Sequence, residues 1–549
     1  MKIFLAFLVS AAASITGALY LCQPAVFDKL PFDAVATLSQ TKPAKPGIVV
    51  GLSAGKSQVD DVNFLIDSML EGFEAGMAKG IYETLLGKLD SRKRAGAVAF
   101  FDQSQKQPQI LLFVPVKETA SFVNLLTKQA QFKLGADGTT GTGNWQGKQI
   151  HFEMRDKCFY FSDNKETFSK IIDNPETWLR EIPSSYNIGL VYDAEQVPGL
   201  VRKLLLQDIR QALDSAASSF DQAGSGLGQV LHQDNLGDLI QMFEETKRLK
   251  MGVDIASETK QVELFFQADG FESSKLARLG ERGEALPVSR YSNFRNDKAL
   301  INLNLHAPLM EDDARKLQQV IETVDFGANL PDARLRTLAD QLNSLLQQAI
   351  TQEQFFDGAL VLRNQEVEEA DLAAVFHVSD TDRVESLLRK LSKPKPVEES
   401  AFGPLVRRAK PDSRVVTVEG LKFYQQLFKV PGPQKQSHSV VFAVGENEVY
   451  VGIGTRPLSL MKSCLESGDV PESDLRSDVL FKINVKDTPL IRMLAPGVEL
   501  GTRSRIRGDV AFVKPGVASR LLIDASVLKL CYKAQRNLRL VKMLRKTSQ

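Results

Sequence analysis

Cysteine is scarce in this chain, with four among 549 residues: Cys22, Cys158, Cys464 and Cys531. No pair is spaced as C-x-x-C, and the five histidines (His151, His232, His306, His377 and His438) include no H-x-x-x-H pair, so the short-range signature of a metal site is missing. A disulfide framework is excluded too, because Cys158, Cys464 and Cys531 allow at most one bridge, and buried free thiols are the expectation. Excess charge of either sign is also lacking. With 68 Lys and Arg against 67 Asp and Glu the net charge is +1, which argues against the whole molecule being a nucleic-acid or anionic-surface binder. No metal and no cofactor is expected, and any electrostatic partner must be recognised locally.

What is present is an ordinary globular composition, 43% hydrophobic with 25% charged, in a chain several times the size of one domain. At the N-terminus Lys2 precedes an uncharged run from Ile3 to Cys22 that begins IFLAFLVSAAA, the pattern of an export signal. Cleavage after Ala18 or Ala25 would make residues 1–25 a signal peptide. Left uncleaved, residues 3–22 are just long enough to anchor the chain in a bilayer. Either way the body is expected outside the cytoplasm, periplasmic or secreted. Leu21 stands before Cys22 where a lipoprotein signal wants a small side chain, which argues against lipidation.

The body reads as a repeat. The stretch from Gly96 to Leu126, a hairpin pattern followed by an amphipathic helix, returns at Gly358, so that Gly96 answers to Gly358, Val116 to Val378 and Leu126 to Leu388 without a gap. Before it stand a strand pattern, Ile48 to Leu52, and a helical pattern, Val59 to Phe73; Leu300 to Leu305 and Asp312 to Val324 hold the same places in the second copy. After it, Ile150, Phe152 and Met154 alternate with polar residues, Asp156 and Lys157 form a turn, and Asp163 with Glu166 resembles a capping box opening a helix to Ile172. The second copy answers with Val440 to Val444, a Gly445-Glu446-Asn447 turn, Val449 to Ile453, and a helix after Pro457 carrying Leu458, Met461 and Leu465. Third hairpins, 251–268 and 507–524, close both copies. The expectation is an α+β fold, internally duplicated into two tandem domains of hairpin-plus-helix units, 45–285 and 297–535, with mainly antiparallel sheets and helices on one face. A basic tail, 536–549, follows.

Candidate chemistry is thin. GLSAGKS, Gly51 to Ser57, sits where a phosphate loop would, but its glycines enclose three residues and a P-loop needs four, and the duplicate position LNLHAPLMEDD has neither glycine nor lysine. Asp193, ending the apolar run IGLVYD, would be the matching carboxylate. The same residues spell G-x-S-x-G, which makes Ser53 the candidate nucleophile of an exported hydrolase, although little chain precedes it to build the sheet such an elbow requires. The acidic runs EVEEAD and MEDD read as solvated turns and helix starts. Lys529, Lys533, Arg536, Arg539, Lys542, Arg545 and Lys546 near the C-terminus interleave with Leu538, Val541 and Leu544. Of these, Lys533, Arg536, Arg539, Lys542, Arg545 and Lys546 are the candidate contacts to an anionic membrane or polyanion, against the plainer reading of a solvated terminal helix.

The signal segment, the GAVAFF hairpin, the LLFVPV strand, Asn144-Trp145-Gln146-Gly147-Lys148 and the YNIGLVYDAEQVP stretch together resemble uncharacterised exported proteins common in planctomycete-type bacteria. The likeness covers much of Lys45 to Val201 and implies no activity. The expected function is therefore that of a non-enzymatic envelope protein, a scaffold binding a partner or envelope component. A carrier of lipid or another hydrophobic ligand and an exported serine hydrolase are the alternatives.

Overall fold

The computed structural model describes residues 45–53, 87–101, 108–128, 132–145, 148–199, 241–310, 355–366, 369–382, 413–429, 437–467, 478–485 and 504–530, with scattered positions in 60–66, 201–211 and 384–386 and at 500 and 533. The expected signal segment, the helix Asp312 to Val324 and the tail from Arg536 onward lie outside the described residues, as do most of the helix Val59 to Phe73 and Cys22, Cys531 and His232. The chain divides into two units. The first comprises Met1–Arg278, Thr488–Glu499 and Lys514–Gln549, the second Leu279–Asp487 and Leu500–Val513. These limits differ from the tandem boundaries 45–285 and 297–535, because the last strand belongs with the first unit.

In the first unit the strands are β1 (Ile48–Leu52), β2 (Ala95–Phe100), β3 (Gln109–Pro115), β4 (Lys133–Leu134), β5 (Thr140–Trp145), β6 (Lys148–Arg155), β7 (Cys158–Ser162), β8 (Ile188–Asp193), β9 (Thr246–Ala256) and β10 (Gln261–Gly270), joined by β20 (Gly516–Asp524). They pair antiparallel in the order β4-β5-β6-β7-β3-β2-β1-β8-β9-β10-β20. Helix α1 (Thr119–Lys128) follows β3. Strand β7 reads CFYFS and is apolar on both sides, and both sides are covered. Cys158 and Tyr160 join a core with Val98, Phe100, Leu111, Phe113, Phe168, Leu179 and Ile182. Phe159 packs on the other face with Val116, Phe132, Phe152 and the α1 residues Phe122 and Leu126. Helical turns thus cover both faces of this sheet, where the sequence pattern led us to expect one.

The second unit contains β11 (Ile301–Pro308), β12 (Phe355–Glu366), β13 (Glu369–His377), β14 (Ser413–Val418), β15 (Leu421–Lys429), β16 (Ser437–Val444), β17 (Glu448–Gly454), β18 (Val479–Asn484) and β19 (Arg505–Val513). Their antiparallel order is β14-β15-β16-β17-β13-β12-β11-β18-β19. Between α2 (Lys275–Glu284) and β11 an irregular lead brings Tyr291, Phe294 and Ala299 into a core with Ala359, Val361, Ala373, Val375, Phe423, Val441 and Tyr450. Helix α3 (Pro457–Leu465) has Pro at its first turn and buries Leu460, Met461 and Cys464 against this core, so of the expected stripe only Met461 is fully buried.

Local chemistry explains the connections. Asp156 and Lys157 both have positive φ, 46° and 62°, and Glu419 and Gly420 have 48° and 80°, the two-residue turns whose twist matches paired strands. The helix after β7 differs from expectation: it is a 3-10 helix, Lys165–Lys170, capped not by Asp163 but by Asn164, whose side chain accepts from the Glu166 N–H at 2.9 Å. The gapless match between Gly96 and Gly358 also shifts by one in three dimensions. Gly96 faces Phe113 across its hairpin, whereas Gly358 faces Phe376, one residue beyond Val375. Because side chains alternate, Val98 is buried in the core of the first unit, and in the second it is Val361, not Leu360, that is buried in the core.

Candidate functional site

Ser53 follows β1, which lies between β2 and β8. Gly51, the first glycine of the phosphate-loop-like motif, stands in register with Gly96 and Gly189, and Gly189 with Gly252. Phe113 and Phe265 end this row of glycines on β3 and β10. The segment after β7 lies on the row: a Cβ on Gly189 would meet Ile182 at 2.1 Å and one on Gly252 would meet the Tyr186 ring at 2.8 Å. Trp178 packs on Phe113 with centroids 5.7 Å apart, and Tyr186 stacks on Phe265 at the same distance. Arg94 fastens this segment by donating to the carbonyls of Ile182 at 2.6 Å and Leu179 at 3.0 Å. Close approach of chain segments thus accounts for the glycine at 51.

The Ser53 hydroxyl donates to the main-chain carbonyl of Tyr186 at 3.2 Å, and the Ser53 N–H donates to the carbonyl of Asn187 at 3.0 Å. A serine nucleophile needs its hydroxyl on a base; here it bridges two chain segments. Asn187 completes the arrangement with its side chain, whose Oδ1 accepts the Ile255 N–H of β9 at 2.5 Å. Its Nδ2 donates to Asp61 at 3.4 Å, and Asp61 also accepts the N–H and hydroxyl of Ser257, at 3.1 and 2.6 Å. Burial, and then the negative charge of Asp61, raise the carboxyl of Asp254 above its ordinary range. One residue therefore clasps β1 to β9. Asp193, the other carboxylate considered beside GLSAGKS, accepts the Glu195 N–H at 3.0 Å as the cap of a 3-10 turn.

The second unit has a clasp of the same form with charged residues in it. The His306 N–H donates to the Asp478 carbonyl at 2.6 Å, and Asp478 Oδ2 accepts the Phe512 N–H of β19 at 2.6 Å. His306 is 2% exposed and its Nδ1 lies 3.3 Å from Oδ1 of Asp357, itself 3% exposed. Neither ring nitrogen of His306 makes an aligned hydrogen bond. Asp357 instead accepts the Ser289 hydroxyl at 2.6 Å and the Arg290 N–H at 3.1 Å. Phe355 lies between two histidines, His306 edge-on at 5.6 Å and His377 stacked at 5.7 Å. Burial works to raise the Asp357 carboxyl, but His306, Ser289 and the Arg290 N–H outweigh it and hold the group below its ordinary range. At Asp478 burial wins over the Phe512 N–H and His306, pushing the carboxyl up to about 6.

Ser289, Asp357 and His306 are the residue types of a hydrolytic triad in the wrong order. The carboxylate is in the middle and the serine donates to it, so no imidazole is placed to take the serine proton. In the sequence His306 is one of five scattered histidines, and no motif marks either carboxylate. The available signal was a lone Asp inside the apolar run FFDGALV and another opening DVLF.

Other polar residues serve the scaffold. Asp371, part of the acidic run expected to be solvated, is 1% exposed. It pairs with Arg363 at 2.9 Å and caps α3 by accepting the Arg456 N–H at 2.7 Å. Cys158 and Cys464 are buried free thiols, pushed by burial up to about 11 and about 12. His151 on β6 is lowered by burial first and by Lys165 second. Of the basic residues singled out near the C-terminus, Lys533 is described and Arg536, Arg539, Lys542, Arg545 and Lys546 are not. Among the described residues no group of three or more His, Cys, Asp or Glu side chains could hold a metal ion, and no helix is long and apolar enough to cross a membrane. No family model, curated protein or solved structure matches the chain.

Proposed function

We propose that this is an exported protein of the cell envelope, an internally duplicated scaffold without catalytic work of its own that binds a partner protein or an envelope component. The observation that carries the reading is the common strand order of the two units, nine strands deep, from β4 to β9 and from β14 to β19. Matching main-chain bonds support the duplication. Gly47 donates to Ala99 at 2.9 Å and accepts from Asp193 at 2.8 Å; Leu300 likewise donates to Leu362 and accepts from Asn484, both at 2.8 Å. Val116 donates to Lys157 at 2.9 Å, and Val378 to Asn447 at 3.0 Å. Asn187, Asp357, Asp371 and Asp478 each accept a main-chain N–H through the side chain, as expected of residues that hold a scaffold together. The apolar N-terminal run supports export.

Osmotic-shock fractionation followed by cross-linking in intact cells tests the reading. The protein is expected in the extracytoplasmic fraction with a discrete cross-linked partner. Recovery in the cytoplasm, or turnover of ester substrates that Ser53→Ala abolishes, would overturn it.

A further inference from the structure

The two clasps differ in one respect that matters chemically. Asn187 and Asp478 are isosteric, and each accepts one strand N–H through its side chain and one through its carbonyl. Asn187 cannot ionise. Asp478 can, and it sits beside His306, whose imidazole carries charge only when protonated and lies 3.3 Å from a second carboxylate, Asp357. We propose that the second unit carries a proton-dependent latch: a protonated Asp478 fastens β11 to β18 and β19 and its ionised form loosens them, whereas the residue at the same place in the first clasp, Asn187, has no proton to lose. The inference rests on the duplication proposed above for the comparison of the two clasps, but the behaviour of Asp478 stands on its own surroundings.

Those surroundings decide the direction. The ionisable group that acts on Asp478 is His306 on β11, which in turn faces Asp357 on β12 and, across Phe355, His377 on β13. With one main-chain N–H accepted by its side chain, the Asp478 carboxylate is poorly compensated for its burial. Its carboxyl is therefore raised in the folded chain from an ordinary 3.8 to about 6. Such a group adds stability that is complete below the unfolded value and is lost as pH rises through the folded one. Asp357, shifted the other way, stays ionised across that window and loses its contribution only in stronger acid. The latch thus closes on acidification from neutral pH toward about pH 5.

Hydrogen exchange of the full chain, corrected for the intrinsic pH dependence of exchange, reads both clasps in one sample. On going from about pH 5 to about pH 7.5, peptides covering 301–308 and 505–513 should lose protection by about tenfold or more beyond any loss in 48–53 and 246–256. Asp478→Asn should remove that difference, and the reciprocal Asn187→Asp should confer pH dependence on the first unit. Equal pH courses for the two units in the unaltered protein would overturn the latch even if neither variant folds. Persistence of the difference in a folded Asp478→Asn variant would overturn it as well. Both results leave the envelope location and the cross-linked partner untouched, so failure here is separable from failure of the proposed function.

Discussion

Asn187 and Asp478 make the same pair of hydrogen bonds in different units, each receiving on its carbonyl an N–H from its unit's first strand or the residue after it, Ser53 or His306, and on its side chain a strand N–H. The side-chain bond is the one a substitution can remove. In the Asn187→Ala variant the Ile255 N–H, on a residue 2% exposed, loses its acceptor. A loss of about 1–3 kcal/mol is expected for a buried donor left unsatisfied, measured as a fall in the urea midpoint of the transition that reports on the first unit.

The glycine row makes a graded prediction. A methyl on Gly189 would lie 2.1 Å from Cγ2 of Ile182, close to that residue's own backbone, whereas one on Gly51 would lie 3.1 Å from the more yielding Cδ1. Gly189→Ala should therefore cost about 1–3 kcal/mol as overpacking does, and Gly51→Ala distinctly less. Thermal unfolding of the two variants side by side checks the order. Loss of a catalytic activity on Gly51→Ala without loss of stability would restore a functional reading of that glycine.

At Asp371 the charge and the cap can be separated. Asp371→Ala strands Arg363 and uncaps α3, and the expected cost is about 3 kcal/mol or more. Asp371→Asn keeps an acceptor for the Arg456 N–H and should lose less. Equal losses in denaturant titrations of the two would assign the whole effect to the charge that Arg363 requires.

The thiols should be silent in the native protein. Burial raises Cys158 to about 11 and Cys464 to about 12, which leaves almost no thiolate at about pH 8. Peptide-resolved labelling with iodoacetamide should modify neither cysteine until denaturant is added. Modification of either one in the folded chain would show that its strand or helix opens readily.

Much of this architecture was legible because alternation and turn chemistry are local. Ile150, Phe152 and Met154 against Asp156 and Lys157 announce a hairpin, and Pro457 announces a helix start. The one-residue shift at Gly358 was hidden for a physical reason. Two hairpins can differ by one residue without disturbing the residue types on either side: Val98 pairs with Leu111 across residues 99–110, and Val361 with Ala373 across residues 362–372. Nor could pattern reveal that β1 pairs with β8, some 140 residues later, since that choice depends on which faces remain to be covered. The clasps escaped for the same reason: Asn187 and Ile255, or Asp478 and Phe512, are ordinary residues until register places one N–H beside one oxygen. For Asp371, solvation was the wrong inference because Arg363 and an open helix end were waiting in the interior.

The strip of glycine beneath Leu179–Tyr186 also determines how the first unit can come apart. Side chains that interdigitate resist sliding and lifting, but four positions without side chains offer nothing to interlock. The segment is seated there by the buried side chains of Leu179 and Ile182, by its two aromatic ends, by the fork of Arg94 and by the Ser53 hydroxyl on the Tyr186 carbonyl. Such a cover can rise in one piece at less than the free energy of global unfolding, baring smooth backbone while every strand stays paired. A protease would be admitted through this hatch before it found a broken sheet.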